Sequence, residues 1–191
     1  MVDFPKYDIV YILKEDVEPE ELRYSIRSVV ENFPYNRIIF YCGCPNDIKP
    51  DVRIPFKQEG YGKINKVLMT LKAVMTNDNI TEDFWLFNDD FYILKPMEST
   101  APWCEGSLDH TVKKVQKRMH GGESRYTIIL KNTAKNLIYR DMDTLSYATH
   151  TPMLINRKKG LKVLKEFTPP FSFRSAYGNY WKIGGELHED V

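Results

Sequence analysis

Asn88, Asp89 and Asp90 stand together inside an otherwise apolar stretch, FWLFNDDFYIL, that runs from Phe84 to Leu94. Two adjacent carboxylates at the edge of a core repel each other and resist desolvation. A divalent cation such as Mg²⁺ or Mn²⁺ removes both difficulties, because it takes hard oxygen ligands and usually adds the phosphates of a substrate. The alternative is a turn in which one aspartate caps the backbone and the other is solvated. The residue types therefore indicate either a metal site or a turn.

Two arginines and one helix start are the candidate contacts for a phosphate group. Arg23 and Arg174 carry guanidinium forks that fit a phosphate bidentately, and aromatic residues surround Arg174 in FSFRSAYGNY. Lys63 and Asn65 follow Gly60 and Gly62 in KQEGYGKINK, where the amides of a helix start can meet a phosphate. Each candidate has an alternative explanation. Arg23 could instead pair with Glu20 or Glu21 on an exposed helix, and the aromatic segment around Arg174 could pack on the core. Lys63 and Asn65 could simply be solvated residues of a helix start.

His150, in YATHTPML, is the histidine best suited to a site, because imidazole is both a common metal ligand and an acid–base group. The alternative is a histidine that backbone contacts satisfy at the end of a strand. His188 is the rival candidate for the same role. His110 and His120 flank a basic helix, where we expect them to be solvated.

An alternation of strands and helices positions these residues in the first half of the chain. β-branched and aromatic runs predict strands, and apolar residues at helical spacing predict helices. The predicted strands cover residues 7–13, 37–42, 52–56 and 83–90, with 91–94 continuing as strand, and the predicted helices cover 18–33 and 62–77. This pattern is typical of an α/β domain with a largely parallel sheet. Ligands bind at the carboxyl ends of the strands in such a sheet, and Asn88–Asp90 follow one of those ends.

The second half of the chain is less regular. Helices are predicted over residues 110–119 and 124–139, and an extended segment from residue 147 is predicted to become a helix at about Asn156. The segment from residue 168 onwards is rich in Pro, Gly and aromatic residues, so we expect it to lie over the sheet or over the site.

Composition limits the class of protein. The 191 residues, 42% of them hydrophobic, fit one globular domain. A net charge of +1 gives no basic field that would support nucleic acid as a partner. No apolar run is long enough to span a bilayer, and the N-terminus lacks the features of a signal peptide. Cys42, Cys44 and Cys104 are an odd number of cysteines in a chain without a secretion signal, so reduced thiols and a cytoplasmic location are expected. Their spacing also lacks the pairs of a zinc site.

The order of several segments resembles that of a known family. DIVYIL, ELRYSIRSVVENFPYNRIIFYCG, FWLFNDDFYIL, HTPMLINR and SFRSAYGNY are similar, in character and order, to blocks of the Stealth-type capsular polysaccharide phosphotransferases. They are also similar to related bacterial and phage glycosyltransferases of the GT-A fold, and together they spread over most of the chain. Where the Stealth proteins carry a YTWVDG-like block after the first strand, this chain reads YILKEDVEP. This departure favours a compact sugar transferase over a phosphotransferase.

The resemblance implies a fold and a site. The fold would be one GT-A-like, Rossmann-like domain over residues 1–191, with a mixed, mostly parallel sheet flanked by helices. Residues 1–94 would be its nucleotide-binding half and residues 95–191 its acceptor-side half. Asn88–Asp90 would take the place of the D-x-D motif that holds Mn²⁺ or Mg²⁺ on the donor diphosphate. Asp90 is then the best ligand, Asp89 the next, and His150 a late addition to the metal.

The remaining candidate residues receive roles from the same resemblance. Asn88 replaces the first aspartate of a strict D-x-D motif and would bind the metal or the ribose. Arg23, Lys63, Asn65, Asn88 and Asp89 would contact the donor, while Asp90, His150 and Arg174 would be the catalytic residues. Glu186, Asp190 and Asp109 are the candidates for a catalytic base, should the reaction invert configuration.

Three functions remain open at this point. The first is a metal-dependent glycosyltransferase that moves a sugar from a nucleotide-diphosphate donor to a glycan, a cell-surface polymer or another hydroxyl acceptor. The second is a Stealth-like transferase that moves sugar-1-phosphate and releases a nucleoside monophosphate. The third is a non-catalytic module that binds a nucleotide or a carbohydrate. The sequence leaves the sugar, the base, the acceptor and the oligomeric state open.

Overall fold

The computed structural model of the chain describes residues 5–59 and 62–188. Its strands are β1 (Asp8–Leu13), β2 (Ile38–Cys42), β3 (Val52–Ile54), β4 (Asp83–Phe87), β5 (Trp103–Cys104), β6 (Met153–Asn156) and β7 (Glu186–Leu187). Its helices are α1 (Pro19–Asn32), α2 (Lys63–Met75), α3 (Leu108–Arg118), α4 (Arg125–Tyr139), α5 (Arg157–Glu166) and α6 (Phe173–Tyr180). The chain divides into two compact units, Met1–Thr100 with His150–Lys158, and Ala101–Thr149 with Lys159–Val191.

The first unit is built on a mixed, mostly parallel sheet of five strands in the order β3-β2-β1-β4-β6. The first four of these are parallel, and β6 runs antiparallel to β4. The central strands β1, β2 and β4 are buried almost throughout, which is typical of a parallel sheet covered on both faces. The structure thus confirms a mixed α/β fold with a mostly parallel sheet flanked by helices.

Helix α1 covers one face of this sheet. Its buried residues Leu22 and Val29 belong to one apolar cluster with Ile9 and Tyr11 of β1 and Phe87 of β4. The helix begins at Pro19, whose missing N–H costs nothing in a first turn, and acidic residues follow in that turn. The extended Phe33 and then Pro34 end the helix.

Helix α2 is associated with the opposite face. Tyr41 and Phe40 are adjacent in β2, so their side chains point to opposite faces of the sheet. The Tyr41 hydroxyl forms a hydrogen bond with Asn77, just beyond the end of α2. The face of α2 that carries Leu68, Leu71 and Val74 is buried. The two helices therefore fix where the loops after the parallel strands begin.

Asp8 anchors the start of the sheet. This fully buried carboxylate accepts hydrogen bonds from Arg37 Nη2 at 2.6 Å, Asn36 Nδ2 at 2.8 Å and Thr81 N at 3.0 Å. Burial raises the pKa of Asp8, but the hydrogen bonds from Arg37, Thr81 and Asn36 outweigh it and hold the pKa below the usual value. The segments before β2 and β4 are thereby tied to the first strand.

The second unit is helical with a short two-stranded sheet, β5-β7. Helix α3 begins at Ser107, whose side chain accepts a hydrogen bond from His110 N, and α4 begins with a capping box of Ser124 and Thr127. Leu108, Leu130 and other residues on the inner faces of these helices are fully buried. The predicted helices at 110–119 and 124–139 are confirmed within a few residues.

One predicted strand segment was wrong. Residues 91–94 do not continue as a strand, because their backbone groups bond to side chains of α1 instead of a neighbouring strand. In the aromatic segment after residue 168, the structure shows a helix that the sequence did not predict. This helix is α6, whose residues Phe173 and Tyr177 are buried within the second unit. Tertiary packing outweighs its weak helix propensity.

In the described part of the chain, no helix combines the length and apolar character needed to cross a membrane. The three cysteines are free thiols, two of them buried. Burial raises the pKa of the Cys42 thiol, which keeps it protonated.

Candidate functional site

The Asn88–Asp90 corner lies directly after β4, at the carboxyl end of the parallel part of the sheet. Asn88 is exposed, Asp89 and Asp90 are half-buried, and the chain becomes fully buried again at Phe91. Phe91 N donates to Asn88 O at 3.4 Å, which closes the turn. Buried residues on both sides therefore hold the two carboxylates at the sheet edge.

Polar side chains of α1 fix the segment that follows the corner. Ser25 Oγ donates to Phe91 O at 2.6 Å, Ile93 N donates to Ser28 Oγ at 2.9 Å, and Asn32 Nδ2 donates to Ile93 O at 2.8 Å. These three side chains recur at helical spacing on one face of α1. They form the hydrogen bonds to the backbone of residues 91–93 that a neighbouring strand would otherwise form. This role explains why ELRYSIRS carries polar residues on a face of α1 that is turned toward the protein.

A buried tyrosine extends this network toward the acidic corner. The Tyr11 hydroxyl lies 2.9 Å from Ser25 Oγ, and it is the donor because the Ser25 hydrogen is directed at Phe91 O. Burial raises the pKa of Tyr11, and the charge of Asp89 raises it further. The Asp89 carboxylate is therefore close enough to act on the inner end of the network.

Glu21 is a carboxylate whose charge acts on Tyr92, just after the corner, and sequence reasoning missed it. Burial raises the pKa of Tyr92, and the charges of Glu21, Asp90 and Asp89 raise it further. Glu21 lies in the first turn of α1, where an acidic residue is explained equally well by the helix dipole. Because the helix dipole already accounts for an acidic residue at this position, the sequence gives no reason to assign Glu21 a further role.

His150 and Asp90 are brought together, as the sequence hypothesis requires. Because β6 is antiparallel to β4, with Met153 opposite Leu86, the residues just before β6 lie beyond the carboxyl end of β4. His150 Nε2 lies 3.9 Å from Asp90 Oδ2. The imidazole ring also packs edge-to-face on Phe91, with 6.3 Å between the ring centroids. The pair forms across the antiparallel edge of the sheet, which the sequence did not predict.

The chemistry of this donor set fits a divalent cation. Asp90 Oδ1 is buried and has no hydrogen-bond partner among the described residues. A buried carboxylate oxygen without a donor is costly unless a cation or another donor satisfies it. Octahedral ligands about 2.1 Å from Mg²⁺ lie about 3 Å apart when adjacent and about 4.2 Å apart when opposite. The 3.9 Å between Asp90 Oδ2 and His150 Nε2 would therefore shorten by about 1 Å for the two groups to occupy adjacent positions. Within residues 5–59 and 62–188, no group of three or more His, Cys, Asp or Glu side chains is placed to hold a metal.

The donor-binding candidates of the first unit occupy separate elements. Arg23 forms an ion pair with Asp47, in the loop after β2, rather than with Glu20 or Glu21. Lys63 and Asn65 are exposed in the first turn of α2, after Gly62 at φ 80°. Gly60, the other glycine of the predicted phosphate turn, lies outside the described residues.

Arg174 lies in α6, in the second unit, where its Nη1 donates to Thr149 O at 2.8 Å. Of the two interpretations of the aromatic residues around it, a groove or a segment packed on the core, the structure supports the packed segment, because Phe171, Phe173 and Tyr177 are 0%, 4% and 4% exposed. These rings are part of the core of that unit. A groove and a packed core have the same composition, so the sequence could not separate them.

The remaining histidines and the candidate catalytic bases that the structure describes lie away from the Asn88–Asp90 corner in the sequence, and their contacts are with other side chains or with solvent. His188 stacks on Trp103 with 3.9 Å between the ring centroids, and it lies 3.3 Å from Glu186. His110 and His120 are exposed, as expected. Asp109 pairs with Lys113 at 2.6 Å on the surface of α3, and Asp190 lies outside the described residues.

Two cavities open near the carboxyl edge, and neither was predicted. One, of about 320 Å³, lies in the loop after β2, and Lys49 and Arg53 are among its lining residues. The other, of about 400 Å³, lies between α1 and residues 92–94. Sequence patterns gave no signal for either, because the shape of the loop after β2 forms the first and the packing of α1 against residues 92–94 forms the second.

Comparison with protein-family models found no match, and comparison with curated proteins likewise found none.

Proposed function

We propose that this protein is a metal-dependent glycosyltransferase with a GT-A-like fold, which transfers a sugar from a nucleotide-diphosphate donor to a hydroxyl acceptor. One observation carries the proposal. Asp90 has a buried oxygen without a hydrogen-bond donor among the described residues, at the carboxyl end of a parallel strand, and its other oxygen faces His150. That position is where an open α/β sheet binds its ligand.

Asp90 and His150 would hold the cation. Asp89, in the same turn, would add a second carboxylate only after its side chain moved, because the described structure does not place the three groups together around one ion. Mg²⁺ or Mn²⁺ usually takes one or two carboxylates from the protein and completes its shell with substrate phosphates and water. A set of two or three protein ligands is therefore sufficient. When bound, the ion would supply charge neutralisation to the leaving diphosphate.

The chain's own residues would orient the donor. The exposed Asn88 amide is available to the ribose, and Lys63 and Asn65 present polar groups at the start of α2. Arg23 would reach a phosphate only by breaking its ion pair with Asp47. Because both side chains are partly exposed, breaking this pair costs little free energy, and the phosphate replaces the carboxylate as the anionic partner.

A thermal-shift panel tests the proposal. Nucleoside diphosphates and nucleotide sugars are added to the wild-type protein with and without Mn²⁺, and a ligand of the native state raises the apparent melting temperature. Asp90→Asn removes the charge and keeps the shape, so we expect it to abolish the Mn²⁺-dependent shift. Asp109→Asn is the matched control, because it removes an equal charge from an exposed surface pair.

Product analysis of any active donor then separates the candidate reactions. A released nucleoside diphosphate supports sugar transfer, whereas a released nucleoside monophosphate supports transfer of sugar-1-phosphate. Binding without turnover supports a non-catalytic module. A panel without any Mn²⁺-dependent shift, or a shift that survives in Asp90→Asn, would contradict the proposal.

A further inference from the structure

The cavity between α1 and residues 92–94 lies next to the proposed metal corner. Its volume is about 400 Å³, within the range of about 300 to 1,000 Å³ that small-molecule sites occupy. Tyr92 lines it only two positions after Asp90 in the chain. A molecule in this cavity would therefore lie beside the place where the donor is proposed to bind.

The floor of the cavity is held by hydrogen bonds. Ser28 and Asn32 line it from α1, and both bond to the backbone of Ile93, which lines it from the opposite side. Ser28 Oγ also donates to Ser25 O at 2.7 Å. Because these groups are already paired within the protein, the floor has a fixed shape that a ligand does not need to order.

The walls of the cavity present apolar surface to solvent. Tyr24 is 55% exposed, Tyr92 is 44% exposed and Leu94 is 85% exposed, although they lie on one continuous surface. Clustered exposed apolar side chains mark interaction sites more often than scattered ones do. A tyrosine ring offers an apolar face together with a hydroxyl that donates and accepts.

The charge around the cavity selects against anionic ligands. Glu31 is the single charged residue of the lining, and neither lysine nor arginine contributes to the lining in the described part of the chain. Asp89 and Asp90 come three and two positions before Tyr92 in the chain and add negative charge at that end of the cavity. A phosphate or uronate would meet like charge without a cationic partner, which costs free energy.

We propose that this cavity binds an uncharged saccharide, and that this saccharide is the acceptor. The ring faces of Tyr24 and Tyr92 would cover the C–H faces of the sugar. Glu31 and the tyrosine hydroxyls would bond its hydroxyl groups. Binding of the saccharide is a property of the cavity alone, whereas its role as the acceptor rests on the proposed function.

Saccharide binding to the full chain tests the inference by NMR. The probes are the uncharged trisaccharides maltotriose, cellotriose, tri-N-acetylchitotriose and mannotriose, with trigalacturonate as the anionic comparison and choline as the cationic one. We expect at least one uncharged trisaccharide to shift the amide signals of residues 24–32 and 92–94. Tyr24→Ala and Tyr92→Ala should each weaken that binding by at least about tenfold. Tyr139→Ala is the matched control, since Tyr139 is 89% exposed on α4.

Each other result would overturn the inference. It fails if no uncharged trisaccharide binds, if trigalacturonate or choline binds more tightly, or if the amide shifts map elsewhere. It also fails if the two tyrosine variants bind as the wild type does. The panel with Mn²⁺ and nucleotides is independent of these tyrosines, so a failure of the saccharide site leaves the proposed donor site standing, and the reverse also holds.

Discussion

Ser25→Ala should destabilise the first unit by disconnecting α1 from the segment after the acidic corner. Ser25 is fully buried, and its hydroxyl links the Tyr11 hydroxyl at 2.9 Å to Phe91 O at 2.6 Å. The substitution leaves a buried tyrosine hydroxyl without this acceptor, which costs about 1 to 3 kcal/mol, and removes a further bond worth about 1 kcal/mol. The expected loss is about 2 to 4 kcal/mol in the free energy of unfolding.

Urea unfolding with a single tryptophan reporter measures this loss. The chain has three tryptophans, so a Trp103→Phe/Trp181→Phe background leaves Trp85, which is buried in β4 of the first unit. Its fluorescence then follows that unit alone, which avoids assuming that both units unfold together. Wild type and Ser25→Ala are compared in this background.

A double-mutant cycle identifies the cause of the loss. Tyr11→Phe removes the orphaned hydroxyl, so in the Ser25→Ala background it should cost about 1 to 2 kcal/mol less than in the wild type. A Ser25→Ala loss below about 1 kcal/mol, or strictly additive effects of the two substitutions, would refute the reasoning. Either result would mean that the hydrogen bonds of Ser25 to Tyr11 and Phe91 are not what fixes the segment after the acidic corner.

Two further predictions concern the frame around the site. Asp8→Asn should lower the free energy of unfolding at neutral pH by about 1 to 3 kcal/mol. Because the folded-state pKa of Asp8 is lowered, its contribution is present above the unfolded-state pKa of about 3.9 and is lost as the pH falls through the lower folded value. Urea unfolding of the wild type and of Asp8→Asn should show that the difference between their free energies of unfolding narrows below about pH 4. A difference that stays constant with pH would contradict this prediction. Gly43→Ala should cost at least about 2 kcal/mol and weaken donor binding, because its Cβ would lie 1.7 Å from Lys14 O at the carboxyl edge. Gly122→Ala is the control, since its φ, like that of Gly43, lies outside the left-handed region and the nearest atom to its Cβ, Met119 O, would be 3.2 Å away. An equal loss in both variants by urea unfolding would refute the close-approach argument.

The frame of the first unit was predictable because its signals are local. The strands β1, β2 and β4 are β-branched or aromatic runs, and α1 and α2 carry apolar residues at helical spacing. Their alternation is sufficient to predict a mostly parallel sheet and to place Asn88–Asp90 at its carboxyl edge.

What could not be predicted depends on long-range contacts. Residues 91–94 have the composition of a strand, and only the positions of Ser25, Ser28 and Asn32 in space show that a helix satisfies them. The proximity of His150 to Asp90 depends on the antiparallel pairing of β6 with β4, which no local pattern encodes. Likewise, the aromatic residues near Arg174 have the same sequence whether they line a groove or fill a core.

Binding of Mn²⁺ is the most direct test of the central claim, that Asp90 and its neighbours hold a divalent cation together with a nucleotide diphosphate. Electron paramagnetic resonance measures free Mn²⁺ while the ion is titrated into the protein with and without the nucleoside diphosphate that the thermal-shift panel selects. We predict that the wild type and Asp109→Asn bind one Mn²⁺ with affinity that the nucleotide increases, and that Asp90→Asn binds at least about tenfold more weakly. Equal Mn²⁺ binding by Asp90→Asn and wild type, or no binding by the wild type with the nucleotide present, would contradict the claim.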